Sequence, residues 1–350
     1  MKAVQLTEIG SSLAEREVPT PTPNSNEVLV KVRAAGICRS DLHYRDGASP
    51  VGTLPLTLGH EVAGEVVDGI VPANDSGEML GAGTRVCLHY LCTCGACAYC
   101  LSGREQFCPR AQMIGKHRDG GYAEFIAIPS RSAVPIPDSI SFEHAAVMMC
   151  STSTAVHALR KARLTAGETV AVVGTGGLGM SAVQLAGAMG ALAVYALDID
   201  SGRLETAAGY GAIPVRVPKD ASPAIAAQLL LETTGGDGVD VAVELVGLPE
   251  TIGTAIAALR PCGRAAIAGI GDEPTSLHIY REIIGAEREV IGVSDHTLGD
   301  IEYILALAEQ GRLRFDEVVT GTIPLEAGRI NARLDEMAHF AGGVRLVISP

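Results

Sequence analysis

Lysine and arginine are scarce in this chain: 27 of them stand against 40 aspartates and glutamates in 350 residues, a net charge of −13. A nucleic-acid groove or an anionic membrane surface needs clustered cations to displace counterions, so neither partner fits. No apolar run reaches the ~18 residues that would carry a helix across a bilayer. Met1–Leu6 alternates like a strand and lacks the apolar core and cleavage site of a secretory leader, which makes a cytoplasmic protein the expectation. Aromatic residues amount to 4%, too few to fix the width of a substrate pocket.

Apolar residues are plentiful, at 47%, and the length exceeds the roughly 250–300 residues at which one core stops growing, so two domains are expected. The most informative stretch is Thr169–Asp198. Thr169–Val173 is a short apolar run of the kind that forms a strand buried on both faces, a helix-length run reaches Gly190, and Ala193–Asp198 repeats the strand pattern.

Between strand and helix, Gly174, Gly176 and Gly179 take G-x-G-x-x-G spacing, with Gly177 and Leu178 inside it. Glycine there permits a tight turn, close approach of a pyrophosphate and close packing of helix on strand. The first turn of the helix would offer N–H groups and a positive dipole end to phosphate. Asp198 closes the second strand 19 residues after Gly179, where an acid accepts hydrogen bonds from ribose hydroxyls and repels a 2′-phosphate. NAD is the expected coenzyme, in preference to NADP.

Residues before about 145 read differently. Glu27–Arg33 alternates apolar and polar positions, and so do His60–Val67, Thr84–Leu88 and Tyr122–Ile128, a β-rich domain of barrel type. Cys38 and His60 each stand at a strand–loop junction, and Cys150 lies just before the helix-like Ser151–Arg160. Two cysteines and a histidine with a fourth position open form a catalytic zinc pattern. Cys94, Cys97, Cys100 and Cys108 crowd one loop, at a spacing that suits a closed tetrahedral structural zinc. Free thiols or disulfides are the alternative, which a reducing compartment disfavours. Cys92 could compete as a ligand, while Cys87 and Cys262 read as buried fillers.

After Asp198 come four more strand patterns, Ile213–Val217, Val239–Leu245, Arg264–Gly269 and Glu289–Val293, with helices between them. Six strands suffice for a doubly wound parallel sheet with nucleotide at its switch point. From residue 294 the chain is expected to return to the first domain, with an amphipathic helix at Ile301–Gln310 and a last apolar segment starting at Val344. The active site is then expected in a cleft between domains.

In this order, the Cys38 segment, Gly59-His60-Glu61, the four-cysteine lobe, Cys150 and the Gly174–Gly179 turn resemble the zinc-dependent medium-chain alcohol dehydrogenases over essentially the whole chain. The resemblance implies an α/β fold: a GroES-like catalytic domain over 1–149 with its zinc lobe at about 92–108, a Rossmann domain over 150–293, and a return to the catalytic domain over 294–350. It implies two zinc ions per chain and hydride transfer between a primary or secondary alcohol and NAD, giving an aldehyde or ketone. Polyol oxidation, carbonyl or alkene reduction on the same scaffold, and an inactive nucleotide-binding protein are the alternatives. A homodimer or homotetramer is implied too.

Residue by residue, the likeness assigns Cys38, His60 and Cys150 to the catalytic zinc and makes Glu61 a transient ligand. Asp41 orients the ring of His60. Ser40 and His43 pass the alcohol proton outward. Arg39 and Arg345 contact the pyrophosphate, Arg203 the adenosine ribose and Thr154 the nicotinamide ring, while the backbone of Gly269 and Ile270 meets the carboxamide. Tyr90 and Met113 line the substrate pocket. The remaining histidines, His89, His296 and His339 among them, lack ligand-like spacing and read as structural.

Overall fold

The computed structural model describes residues 1–73, 78–315, 318–338 and 345–350; His339 and Val344 lie outside them. The chain divides into two compact units, Met1–Cys150 with His296–Pro350, and Ser151–Asp295.

In the first unit the strand Glu27–Gly36 buries Val28, Val30 and Val32 and exposes Lys31 and Arg33, the alternation of a sheet with one wet face. It pairs antiparallel with Glu61–Asp68, Phe125–Pro129 and Arg345–Ser349, at the centre of a seven-stranded sheet. A smaller sheet joins Lys2–Leu6 to Ala14–Glu17 and Leu56–Thr57. Val4, Val30, Leu88, Tyr122, Ile128 and Ile348 belong to the apolar core of this unit.

The last residues add two elements the pattern did not announce, the strand Val319–Pro324 and the helix Ala327–Ala338. The strand carries a glycine and ends in proline, and the helix buries only Ile330, Arg333 and Leu334, so neither leaves a strong apolar period. The helix expected at Ile301–Gln310 runs from Leu298 to Glu309, started by a capping box between Thr297 and Asp300.

The second unit carries a six-stranded, wholly parallel sheet. Its spatial order is Ile213–Arg216, Ala193–Asp198, Thr169–Val173, Val239–Glu244, Leu259–Ile267, Glu289–Gly292. The chain builds outward from Thr169–Val173 on one side, then crosses to lay Val239–Glu244 on the other. That reversal opens a crevice at the carboxyl ends of these two neighbours. Val239–Glu244 is buried at every position, as a strand covered on both faces must be.

Strand Leu259–Ile267 begins earlier than the expected Arg264, because Pro261-Cys262-Gly263 looks like a turn in sequence. Cys262 is exposed and has φ 61°, so it is no core filler. Cys87, by contrast, is fully buried.

Candidate active site

Gly36 and Glu61 are partners across the antiparallel pair, and that register sets the ends of the two strands side by side. The chain leaves Gly36 into the short helix Arg39–Arg45, for which Cys38 is the N-cap; His60 immediately precedes Glu61. Cys150 sits on the turn of π-helix Met148–Thr152. Cys38, His60, Glu61 and Cys150 thereby bring one ligand atom each to within 4.8 Å of one another.

The sulfurs of Cys38 and Cys150 lie 3.9 Å apart. Sulfurs about 2.3 Å from a tetrahedral zinc would be separated by roughly 3.8 Å. Asp41 Oδ1 lies 3.1 Å from His60 Nδ1, which fixes the tautomer that leaves Nε2 as an electron-pair donor. That Nε2 is buried without a hydrogen-bond partner, as is Glu61 Oε2. A zinc ion fits this donor set: two thiols, an orphaned imidazole nitrogen and an adjoining carboxylate.

Charge in the centre is strongly coupled. The hydrogen bond from Cys150 holds the Cys38 thiol well below its ordinary range, and the same bond pushes Cys150 well up. Burial pushes the Glu61 carboxyl up to about 8, against the pull of the Arg345 guanidinium. Arg345, expected at a pyrophosphate, is buried and ion-paired with Glu61 inside this centre. Ser40 Oγ is 3.9 Å from Cys38 Sγ, while His43 is exposed on the same short helix and Arg39 is half-buried.

The four-cysteine lobe is equally compact. Sulfur separations are 3.5 Å for Cys94–Cys108, 3.5 Å for Cys97–Cys100 and 3.8 Å for Cys94–Cys100, again the edges of a zinc tetrahedron. The short helix Ala98–Leu101 and the turn Glu105–Phe107 bend the chain back on itself. The N–H of Ala96 draws the Cys94 thiol down to about 5, favouring the thiolate a metal needs. Cys92 stays outside this group, its thiol pushed up to about 11 by burial.

In the second unit, Gly174 leaves the first strand at φ 89°, and helix Gly177–Ala188 starts with Gly176 as N-cap. A Cβ on Gly179 would lie 2.0 Å from the carbonyl oxygen of Gly174, so only glycine lets the helix pack this closely. Leu178 is half-buried in its first turn. Asp198 Oδ2 accepts hydrogen bonds from the N–H and the hydroxyl of Thr175, and its Oδ1 accepts from the N–H of Asp200. Arg203 is exposed, in the first turn of helix Ser201–Gly209. Thr154 is half-buried on helix Ser153–Lys161; Gly269 is half-buried and Ile270 almost fully exposed, just past strand Leu259–Ile267.

Tyr90 is buried, with its ring centroid 5.7 Å from that of His60 and 4.7 Å from that of His296. Met113 is half-buried and accepts a hydrogen bond on sulfur from Tyr44. Three residues of these sites were not singled out from sequence. Tyr122 donates to Asp41, Thr175 anchors Asp198, and the buried Glu244 accepts from the N–H groups of Val246 and Gly247 and from the Thr251 hydroxyl. An acid closing the strand pattern that runs through Val241-Ala242-Val243 was the available signal for Glu244. A hydroxyl on a loop residue such as Tyr122 or Thr175 gives none.

Residues 24–138 match the family described as alcohol dehydrogenase GroES-like domain, and residues 177–310 match zinc-binding dehydrogenase. An alcohol dehydrogenase of Geobacillus stearothermophilus is 36% identical over 350 residues, covering 99% of both chains. An NAD-dependent alcohol dehydrogenase of Sulfurisphaera tokodaii is 30% identical over 359 residues, covering 100% of both. Among solved structures, an alcohol dehydrogenase of Thermotoga maritima superposes with a TM-score of 0.91 at 25% identity, covering 100% of this chain and 99% of that one.

Proposed function

Because this chain belongs to the zinc-dependent medium-chain alcohol dehydrogenase family, we propose that it interconverts a primary or secondary alcohol and its aldehyde or ketone, with NAD as hydride partner. The observation that carries this reading is the buried set of Cys38, His60 and Cys150, with the unpartnered Nε2 of His60 at its heart.

Zinc held by Cys38, His60 and Cys150 would supply a Lewis acid that makes an alcohol oxygen easier to deprotonate. Asp41 keeps the imidazole in the ligating tautomer. Glu61, ion-paired with Arg345 beside these three, would serve as a transient ligand. Ser40 and His43, two and five positions past Cys38, move the alcohol proton from the buried centre toward the surface, where His43 is exposed. Tyr90 and Met113 give the apolar wall of the substrate pocket.

Toward the coenzyme, the N–H groups opening helix Gly177–Ala188 take the pyrophosphate. Asp198, held by Thr175, takes the ribose hydroxyls, and Arg203 stands beside it. Thr154 and the backbone of Gly269 and Ile270 meet the nicotinamide end. Cys94, Cys97, Cys100 and Cys108 would hold a structural zinc, since four thiolates would leave no coordination position for substrate.

Two further parts of the proposal concern the protein's setting. A homodimer or homotetramer is supported by strand Glu289–Gly292, which ends the six-stranded sheet, and by the exposed apolar side chains Ile279, Tyr280, Ile284 and Val290 around it. A cytoplasmic location is supported by nine cysteines without a disulfide among the described residues, eight of which lie in the two ligand groups or the core. No helix among the described residues is long and apolar enough to cross a membrane.

A panel of short, branched, aromatic and polyol substrates with NAD and NADP, run on protein whose zinc content has been measured, tests the function. Two zinc ions per chain with NAD-linked turnover of at least one alcohol class is the expected result. Zinc-replete protein inert toward every class, in both directions, would sink it.

A further inference from the structure

We infer that Tyr122 is a positioning residue for the metal centre: its hydroxyl holds Asp41, and through Asp41 holds His60, in the geometry that retains the metal. The inference rests on the reading of Cys38, His60 and Cys150 as ligands.

Three separate pieces of chain converge on one buried carboxylate. Asp41 Oδ2 accepts from the Tyr122 hydroxyl at 2.8 Å and from the backbone N–H of Cys38 at 2.9 Å. Its other oxygen faces Nδ1 of His60 at 3.1 Å. Asp41, His60 and Tyr122 are each fully buried, so no solvent can stand in for a lost donor. Asp41 thus ties the segment that carries one ligand, Cys38, to the side chain of another, His60. Tyr122 is the third leg of that tie.

The phenol cannot turn elsewhere. Its backbone N–H bonds the carbonyl of Leu58, its carbonyl accepts from Val4, and the preceding Gly121 bonds Gly59. The ring lies directly against Gly59, where a Cβ would come within 2.4 Å of it and where φ is 93°. The residue before His60 is therefore seated on the ring whose hydroxyl fixes the partner of His60. Burial, and next the charge of Asp41, raise the phenol well above its ordinary range, so the proton stays on oxygen and the group acts as a donor. A residue that only filled the core would need the ring alone.

Tyr122→Phe isolates the hydroxyl, since phenylalanine keeps the ring. Zinc-loaded wild type and variant are mixed with excess chelator and the release of each ion is timed. Neighbours that bond a metal-bound histidine directly change affinity about 10- to 100-fold, and a group one bond further out should act more weakly. Zinc release from the Cys38–His60–Cys150 centre is expected to quicken roughly three- to tenfold, with release from the four-cysteine lobe unchanged. Asp41→Asn should act more strongly, and adding Tyr122→Phe to it should change nothing further, because the phenol works through that carboxylate. In cobalt-substituted protein the visible absorption of the first centre should shift in Tyr122→Phe. Release at the wild-type rate, both ions leaving faster together, or multiplying effects in the double variant would each overturn the inference. Wild type binding only the lobe zinc would instead overturn the ligand reading beneath it.

Discussion

Asp41 and His60 face each other at 3.1 Å with neither side chain exposed to solvent, so the imidazole has one partner at Nδ1 and presents Nε2 to the other ligands. Removing a ligand should therefore empty this centre without touching the coenzyme fold. Cys38→Ser and His60→Ala are each expected to reduce zinc from two per chain to one. Turnover should fall at least about a thousandfold, ~4 kcal/mol of barrier. NADH affinity, followed by fluorescence titration, should stay within about twofold. Coenzyme binding lost along with the zinc would show that the two sites were wrongly separated.

Asp198 already accepts three hydrogen bonds from Thr175 and Asp200, which fix the carboxylate at the end of its strand. A fixed negative charge there opposes a 2′-phosphate. In Asp198→Ala the preference for NAD over NADP, read as the ratio of kcat/KM values, should relax by about tenfold or more, ~1.4 kcal/mol. An unchanged ratio removes Asp198 from the ribose site.

The lobe would bind its ion through residues close in sequence, so a zinc there should act locally on folding. Cys97→Ala should lower Tm by roughly 5 °C or more, given that metal-ligand free energy is folding free energy. Turnover per folded molecule should be little affected. Calorimetry with metal analysis on the same sample checks both, and a Tm equal to wild type would argue that the four thiols bind no metal.

Asp200 caps helix Ser201–Gly209 through the N–H groups of Gly202 and Arg203, chiefly the latter, and these bonds hold its carboxyl below the usual range. A depressed folded value means the stabilisation is complete above the unfolded chain's value near ~3.9 and is lost as pH falls through the lower folded one. Asp200→Ala should cost about 1 kcal/mol at neutral pH. Urea melts should show that gap constant from roughly pH 7 to 5 and closing below about pH 4. A gap that widens on acidification would contradict the sign.

Much of this architecture could be read from residues alone, because its strongest signals are local. The apolar run Thr169–Val173, the glycines after it and the cysteine spacing of the lobe each report a physical demand within a few residues. What escaped the reading depends on register or on contacts from far along the chain. Pro261-Cys262-Gly263 looks like a turn and marks an irregularity inside a strand: pairing with Val239–Glu244 slips register between Leu259 and Arg264, with Cys262 at φ 61°, and resumes beyond it. Arg345 was expected at the pyrophosphate. Its burial against Glu61 follows from the pairing of its strand with Glu27–Gly36, which no spacing of 284 residues announces. Tyr122 and Thr175 matter through single hydroxyl groups, and period-based reading does not see hydroxyls.

The strand Arg345–Ser349 lies between Glu27–Gly36 and Val319–Pro324, so the main sheet of the first unit is completed by residues that follow the whole of the second unit in the chain. On the ribosome, all of Ser151–Asp295 emerges while that sheet still lacks its closing strand. The lobe, local in sequence, can capture its ion early. Cys38 and Cys150 would wait as free thiols on an unfinished scaffold, so filling of their centre would be a late step of biogenesis, open meanwhile to zinc starvation or oxidation.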